Sequence, residues 1–190
     1  QNVTHSGFEG AYDGTPHAIA VISSEGGEVT YLNTVSGDYD LTESPAYEIV
    51  GEYWVYFKVV KDNYEDYMGA ALISISKAYY DMSGIIWSED NFVYDGDEKT
   101  VTITGGLPAG VTVLMYTDNE AANAGLYTAN ATFDYDTDNY NEPEIPSHGW
   151  NIDKAPLTIS AENKTVTFPQ EAPPFTVGYS GFVNGEDETV

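Results

Sequence analysis

The densest concentration of chemically capable side chains is an acidic alternation: Asp134, Asp136 and Asp138, with Asn139, Asn141, Glu142 and Glu144 close behind. Hard oxygens at that density suit Ca²⁺, which takes about six to eight oxygen ligands. If the alternation lies in a strand, Asp134 and Asp136 share a face and Asp138 enters the turn that follows. The spacing covers only half of a helix–loop–helix calcium loop, because no glycine follows Asp138 and the twelfth position is Ile145. The competing reading is a solvated acidic face. Val60 and Asp62 stand near the matching places earlier in the chain, so the cluster is not part of a repeated design.

A second set is aromatic. Within Gly51 to Val59, Tyr53, Val55, Phe57 and Val59 alternate with Glu52, Trp54, Tyr56 and Lys58. A period of two places the first set toward a core and the second away from it. Trp54 and Tyr56 would then be exposed, able to stack on sugar rings or to anchor a protein partner. They could equally be covered by a neighbouring sheet. Their counterparts in a later strand, Thr128 and Asn130, are polar.

Other candidates fall away. His5, His17 and His148 are widely separated, and neither a nucleophilic triad nor a zinc ligand set gathers around any of them. Gly26-Gly27 and Gly105-Gly106 lack the lysine and helix context of a phosphate loop and read as turns. Carboxylate pairs for glycoside cleavage are abundant among 31 acidic residues, and nothing singles out two of them. Lys77 and Lys154 recur at equivalent places, where a lysine–asparagine cross-link would need a buried lysine; a surface linker lysine is the plainer reading. The expectation is a non-catalytic chain without a cofactor, Ca²⁺ excepted.

The elements that must position these residues are strands. Gly51-Glu52-Tyr53 opens one long alternating run and Gly125-Leu126-Tyr127 another, with Tyr127, Ala129, Ala131 and Phe133 facing inward. A tyrosine two residues after such a glycine suits the corner of an immunoglobulin-like sandwich, where its hydroxyl bonds back to the backbone. Asp62-Asn63-Tyr64 follows the first run and Asp138-Asn139-Tyr140 the second. Lys77-Ala78 and Lys154-Ala155 close the two copies, 77 residues apart. Tyr12-Asp13-Gly14 returns as Tyr94-Asp95-Gly96, 82 apart, so insertions fall between the landmarks. No convincing helical period occurs. The fold expected is all-β, tandem immunoglobulin-like β-sandwich repeats, with boundaries at residues 1–78, 79–155 and a partial third repeat at 156–190. Leu157–Ala161, Lys164–Phe168 and Phe175–Tyr179 read as strands of that third repeat. Half a sandwich cannot bury its face alone; it must pair with a missing segment, lean on the second repeat, or complete a neighbouring molecule.

Composition narrows the setting. The chain has 190 residues, 42% hydrophobic, with 16 Tyr, 7 Phe and 3 Trp, enough apolar surface for packed cores. Its net charge is −25, and all six cations are lysine. That field repels phosphate backbones and anionic lipid, which argues against nucleic acid and membrane docking. There is no cysteine, so disulfides and thiolate metal sites are excluded. No run approaches the roughly 18 apolar residues of a membrane-spanning helix. Gln1 is not an initiator methionine, and the chain reads as a piece of a longer protein.

The order Tyr-Asp-Gly, Gly-x-Tyr, Asp-Asn-Tyr and Lys-Ala resembles the repeat arrays of bacterial surface and adhesin-like proteins. Residues 156–188, with Leu157-Thr158-Ile159-Ser160-Ala161, Lys164-Thr165-Val166, Pro173-Pro174-Phe175 and Tyr179-Ser180-Gly181-Phe182-Val183-Asn184-Gly185-Glu186, are similar to the MBG (mostly β, glycine-rich) family. Phe168-Pro169-Gln170 departs from the family's Tyr-Gly turn. The resemblance implies secretion, attachment to a bacterial cell surface, a stalk or binding role, and no catalytic residues. Its partners would be neighbouring repeats, and a glycan or host surface protein if Trp54 and Tyr56 grip one.

Overall fold

A computed structural model describes residues 2–189, and every regular element among them is a strand: the chain is all-β. Internal contacts divide it into two units. Unit 1 is Gln1–Asp81 together with Tyr135–Pro143; unit 2 is Met82–Asp134 together with Glu144–Val190.

Unit 1 contains β1 (Val3–Ser6), β2 (Phe8–Ala11), β3 (His17–Ala18), β4 (Ala20–Ser23), β5 (Glu28–Leu32), β6 (Tyr39–Leu41), β7 (Ala46–Tyr47), β8 (Gly51–Val60) and β9 (Tyr67–Ser76). One sheet runs β2-β9-β8-β5-β6; β1-β4 and β3-β7 pair separately. β8 and β9 are antiparallel, whereas β2 lies parallel to β9, with Phe8 opposite Ile73 and Ala11 opposite Ser76. The first stretch of chain therefore serves two sheets, as β1 toward β4 and as β2 toward β9. This order accords with an immunoglobulin-type sandwich.

Unit 2 repeats the plan with β10 (Ile86–Trp87), β11 (Asn91–Val93), β12 (Lys99–Thr100), β13 (Ile103–Gly105), β14 (Thr112–Thr117), β15 (Glu120–Ala121), β16 (Gly125–Asp134) and β17 (His148–Asp153). The sheet order is β11-β17-β16-β14, again with a parallel outer pair, β11 on β17. The pairs β10-β13 and β12-β15 stand where β1-β4 and β3-β7 stand in unit 1. Only β6 lacks a counterpart among the described residues. A last hairpin, β18 (Thr158–Ala161) with β19 (Val177–Ser180), repeats the β1-β4 pairing at the position of residues 156–190.

The cores follow the alternation. In β8, Val55, Phe57 and Val59 are buried, and they join Ile73, Ile75, Ala71, Tyr31 and Ile19. In β16, Ala129 is buried and packs with Trp150, Ile152 and Val101. Trp150 takes the place of Ile73: it lies opposite Tyr127 as Ile73 lies opposite Tyr53. A small Ala129 makes room for that indole, whose Nε1–H donates to the Asp118 carbonyl at 3.2 Å. The Tyr53 hydroxyl donates to the Ile49 carbonyl at 3.0 Å and the Tyr127 hydroxyl to the Asn123 carbonyl at 2.6 Å, four residues upstream in each case. Each ring folds back over the glycine that opens its strand. A Cβ on Gly51 would lie 2.8 Å from the Tyr53 hydroxyl and one on Gly125 3.1 Å from that of Tyr127, which explains Gly-x-Tyr as a unit.

Several expected strands are shorter or absent. Lys164–Phe168 is not a strand. Its counterparts β2 and β11 exist by pairing parallel with a closing strand, and no such strand lies beside it among the described residues. β10 is short, with Met82–Ile85 outside any strand and only Ile86–Trp87 in one. β12 and β13 are separated at Val101 and Thr102, where Val101 is fully buried in the core.

Candidate functional site

β8 and β9 register residue by residue, Glu52 opposite Ser74, Trp54 opposite Leu72, Tyr56 opposite Ala70 and Lys58 opposite Met68. These side chains share the face turned away from the core, since their neighbours in sequence are the buried ones. Trp54 is 57% and Tyr56 45% exposed, with Met68 also exposed nearby. Parallel pairing adds Glu9 of β2 opposite Ser74. The result is an aromatic platform edged by two carboxylates and a hydroxyl. Beside it lies an open groove of about 660 Å³, lined in part by Glu9, Glu52, Trp54, Leu72 and Ser74. Ala70, opposite Tyr56, also lines the groove.

The same location in unit 2 holds a smaller groove of about 410 Å³ beside Asn91, Leu126 and Asn151. The register places Asn91 opposite Asn151 and Leu126 opposite Asn151, as Glu9 and Glu52 stand opposite Ser74. Thr128 replaces Trp54, so the concavity is repeated while its aromatic wall is not. Trp54 was legible in the alternation. Glu9 was not, because a parallel pair brings together residues 65 positions apart (9 to 74) with no local signal.

The acidic alternation is dispersed rather than gathered. Asp134 ends β16, and Asp136 lies beyond the strand, so the two do not share a strand face. The reason is local chemistry. Asp136 Oδ1 accepts the backbone N–H groups of Asp138 at 3.0 Å and Asn139 at 3.2 Å, and Oδ2 accepts the Asn139 amide at 2.9 Å. A carboxylate that bonds the backbone two and three residues on makes a turn and stops a strand. Those bonds, the Asn139 amide first, hold the Asp136 carboxyl below its ordinary value. No group of three or more His, Cys, Asp or Glu among the described residues is arranged to hold a metal ion. Asp136 thus makes a turn, and Asp134, Asp136 and Asp138 are all exposed.

Asp136 instead shapes a segment that belongs to unit 1. Tyr140 stacks on Tyr80 with ring centres 3.9 Å apart and meets Tyr12 edge-on at 5.5 Å. The Ala78 N–H donates to the Asn139 carbonyl at 3.0 Å, and the Asn141 N–H donates to the Ala78 carbonyl at 2.9 Å. Lys77 Nζ donates to the Thr137 carbonyl at 2.6 Å, and the Val50 N–H donates to Asn139 Oδ1 at 3.3 Å. The histidines are dispersed: His17 stacks on Phe8 and His148 on Trp87.

Two units with one pairing order, each holding a ten-residue strand opened by Gly-x-Tyr, define an all-β class of fold. Residues 157–190 match the family model of the MBG domain (YGX type), a bacterial surface repeat domain that is non-enzymatic. No curated protein matches the chain.

Proposed function

We propose that this chain is a spacer and adhesion scaffold: an extracellular segment of a bacterial surface protein, built of tandem β-sandwich repeats and without catalytic activity. The observation that carries the reading is the duplicated pairing order, β2-β9-β8-β5 in unit 1 and β11-β17-β16-β14 in unit 2, followed by a hairpin that starts the order again. The MBG-type match at residues 157–190 supports the surface setting. A net charge of −25 favours solubility and resists non-specific association. The repeat boundaries proposed are 1–78, 79–155 and 156–190. Antibody raised against the chain is expected to label intact cells of the source bacterium, and brief protease treatment to remove the signal. Labelling seen only after lysis would sink the reading.

The groove favours a second reading, in which unit 1 binds carbohydrate or a host protein. Aromatic rings stack on the C–H faces of sugars, while Glu9, Glu52 and Ser74 accept or donate hydrogen bonds to hydroxyls. The carboxylates select neutral or basic glycans over sulfated or sialylated ones. Saturable binding on a glycan array that Trp54→Ala abolishes is the expected result; equal signal from Trp54→Ala would assign the platform to packing.

A further inference from the structure

The two units close their ends differently, although the residues at those ends correspond. Gly51 matches Gly125 and Ile75 matches Ile152, because each glycine lies opposite its isoleucine. It follows that Val50 matches Ala124, and that Lys77-Ala78 match Lys154-Ala155. Tyr12 matches Tyr94: each donates its N–H, at 2.8 Å, to the carbonyl of the last residue of the closing strand, Ser76 or Asp153. Two residues past Ala78 and Ala155 stand Tyr80 and Leu157.

In unit 1 each of these five positions touches the Thr137–Asn141 segment, whose centre is Asp138-Asn139-Tyr140. Tyr12 and Tyr80 hold the Tyr140 ring, Ala78 exchanges two backbone bonds with the segment, Val50 donates to Asn139, and Lys77 reaches Thr137. In unit 2 the five matching residues, Tyr94, Ala124, Lys154, Ala155 and Leu157, line an open cleft of about 280 Å³. That volume lies near the lower end of ordinary ligand pockets, about 300 Å³. Glu186 accepts the Tyr94 hydroxyl and Phe182 forms a wall, but no Asp-Asn-Tyr turn occupies the cleft.

We propose that the unit 2 cleft is a docking site for an Asp-Asn-Tyr loop presented by another β-sandwich repeat of this type. The loop's tyrosine would lie against Tyr94 and Leu157, and its backbone would bond Ala155. Charge agrees: Lys154 stands where Lys77 meets the acidic segment Asp136–Asp138. The chain shows that such loops are presented. Asp62-Asn63-Tyr64 occupies the β8–β9 connection of unit 1, as Asp138-Asn139-Tyr140 occupies the β16–β17 connection. Tyr64 is 48% exposed, and Asn63 holds a left-handed turn with φ 66°. This rule of recognition is independent of the glycan reading and does not need it.

The test uses the whole chain, isotope-labelled, titrated with a cyclised peptide of residues 135–143. Saturable shifts are expected at the amides of Ala124, Ala155 and Leu157. Replacing the peptide's tyrosine at the position of Tyr140 by alanine should weaken binding about tenfold or more. Leu157→Glu in the chain should abolish binding while the β16 amides keep their shifts, which reports an intact fold. A chain in which residues 137–141 are replaced by glycine and serine supplies a control, since its vacated site beside Tyr12 and Tyr80 should take the same peptide. Binding there with none at Leu157 would overturn the proposal. Binding at neither would also overturn it, because the loop would then have no affinity of its own. Shifts confined to the Trp54 groove would count the same way.

Discussion

Unit 1 and unit 2 share a pairing order and differ in what fills it. The core of unit 1 sets Phe57 and Tyr31 among aliphatic residues, Val55, Val59, Ile73 and Ile75. The core of unit 2 is smaller and set around Trp150, with Ala129, Ile152 and Val101. The corner tyrosines Tyr53 and Tyr127 are common to both, as is the parallel outer pair. Backbone pairing and corner geometry are thus shared while side-chain volume is placed differently, with Ala129 at the position of Val55 and Trp150 at that of Ile73. The outward face has diverged most: Trp54 and Tyr56 in one unit, Thr128 and Asn130 in the other.

Truncating each core separately strains that comparison hardest. Phe57→Ala should destabilise unit 1, and Trp150→Ala unit 2, each by about 3–5 kcal/mol. Native-state hydrogen exchange should show lost protection in β8 for the first and in β16 for the second. Protection lost equally in both units from one substitution would mean that they unfold as one body. Next comes Tyr140→Ala. Tyr140 lies between β16 and β17 in the chain but stacks on Tyr80 of unit 1. It should weaken unit 1 by about 1–3 kcal/mol and leave the protection of Ala129 and Ile152 in unit 2 unchanged.

Tyr53→Phe and Tyr127→Phe remove one hydroxyl bond each and should cost about 1 kcal/mol apiece. Unequal denaturant midpoint shifts would show that only one corner is structural. Smaller still is the pH effect. Asp136 in unit 1 and Asp95 in unit 2 both have carboxyls held below the ordinary 3.8, by the Asn139 amide and by Lys99 respectively. A depressed carboxyl contributes stability above the unfolded value and loses it as pH falls through the folded one. Acid titration below about pH 4 should therefore loosen both units, with Asp136→Asn flattening the curve of unit 1 only. Exchanging EGTA for millimolar Ca²⁺ should move neither unfolding transition. A rise that Asp136→Asn removes would restore the metal reading of the acidic alternation.

What could be read before folding was whatever is periodic or local. Alternation placed Phe57 inside and Trp54 outside, and Gly-x-Tyr marked both corners. Three features escaped for separate reasons. Lys164-Thr165-Val166 has strand composition, but a strand needs a partner, and composition does not say whether one lies alongside. Asp136 looked like the continuation of β16 until its carboxylate was seen to take two backbone donors. The place of Asp138-Asn139-Tyr140 against Ala78 joins residues about 60 apart and follows from no local pattern; only the recurrence of the tripeptide hinted at it.

The parallel outer pair carries a consequence for load. β2 and β9 lie near opposite ends of the unit 1 strands, and β11 and β17 are the first and last strands, in chain order, of the four-stranded sheet of unit 2. Tension applied along the polypeptide would pull each pair past one another lengthwise. Evenly spaced ladder bonds then share the force together instead of opening one after another. Four residue pairs resist in unit 1, Phe8↔Ile73 to Ala11↔Ser76, against three in unit 2, Asn91↔Asn151 to Val93↔Asp153. Under such tension the chain should give way first at β11 and β17, leaving unit 1 as the stronger link.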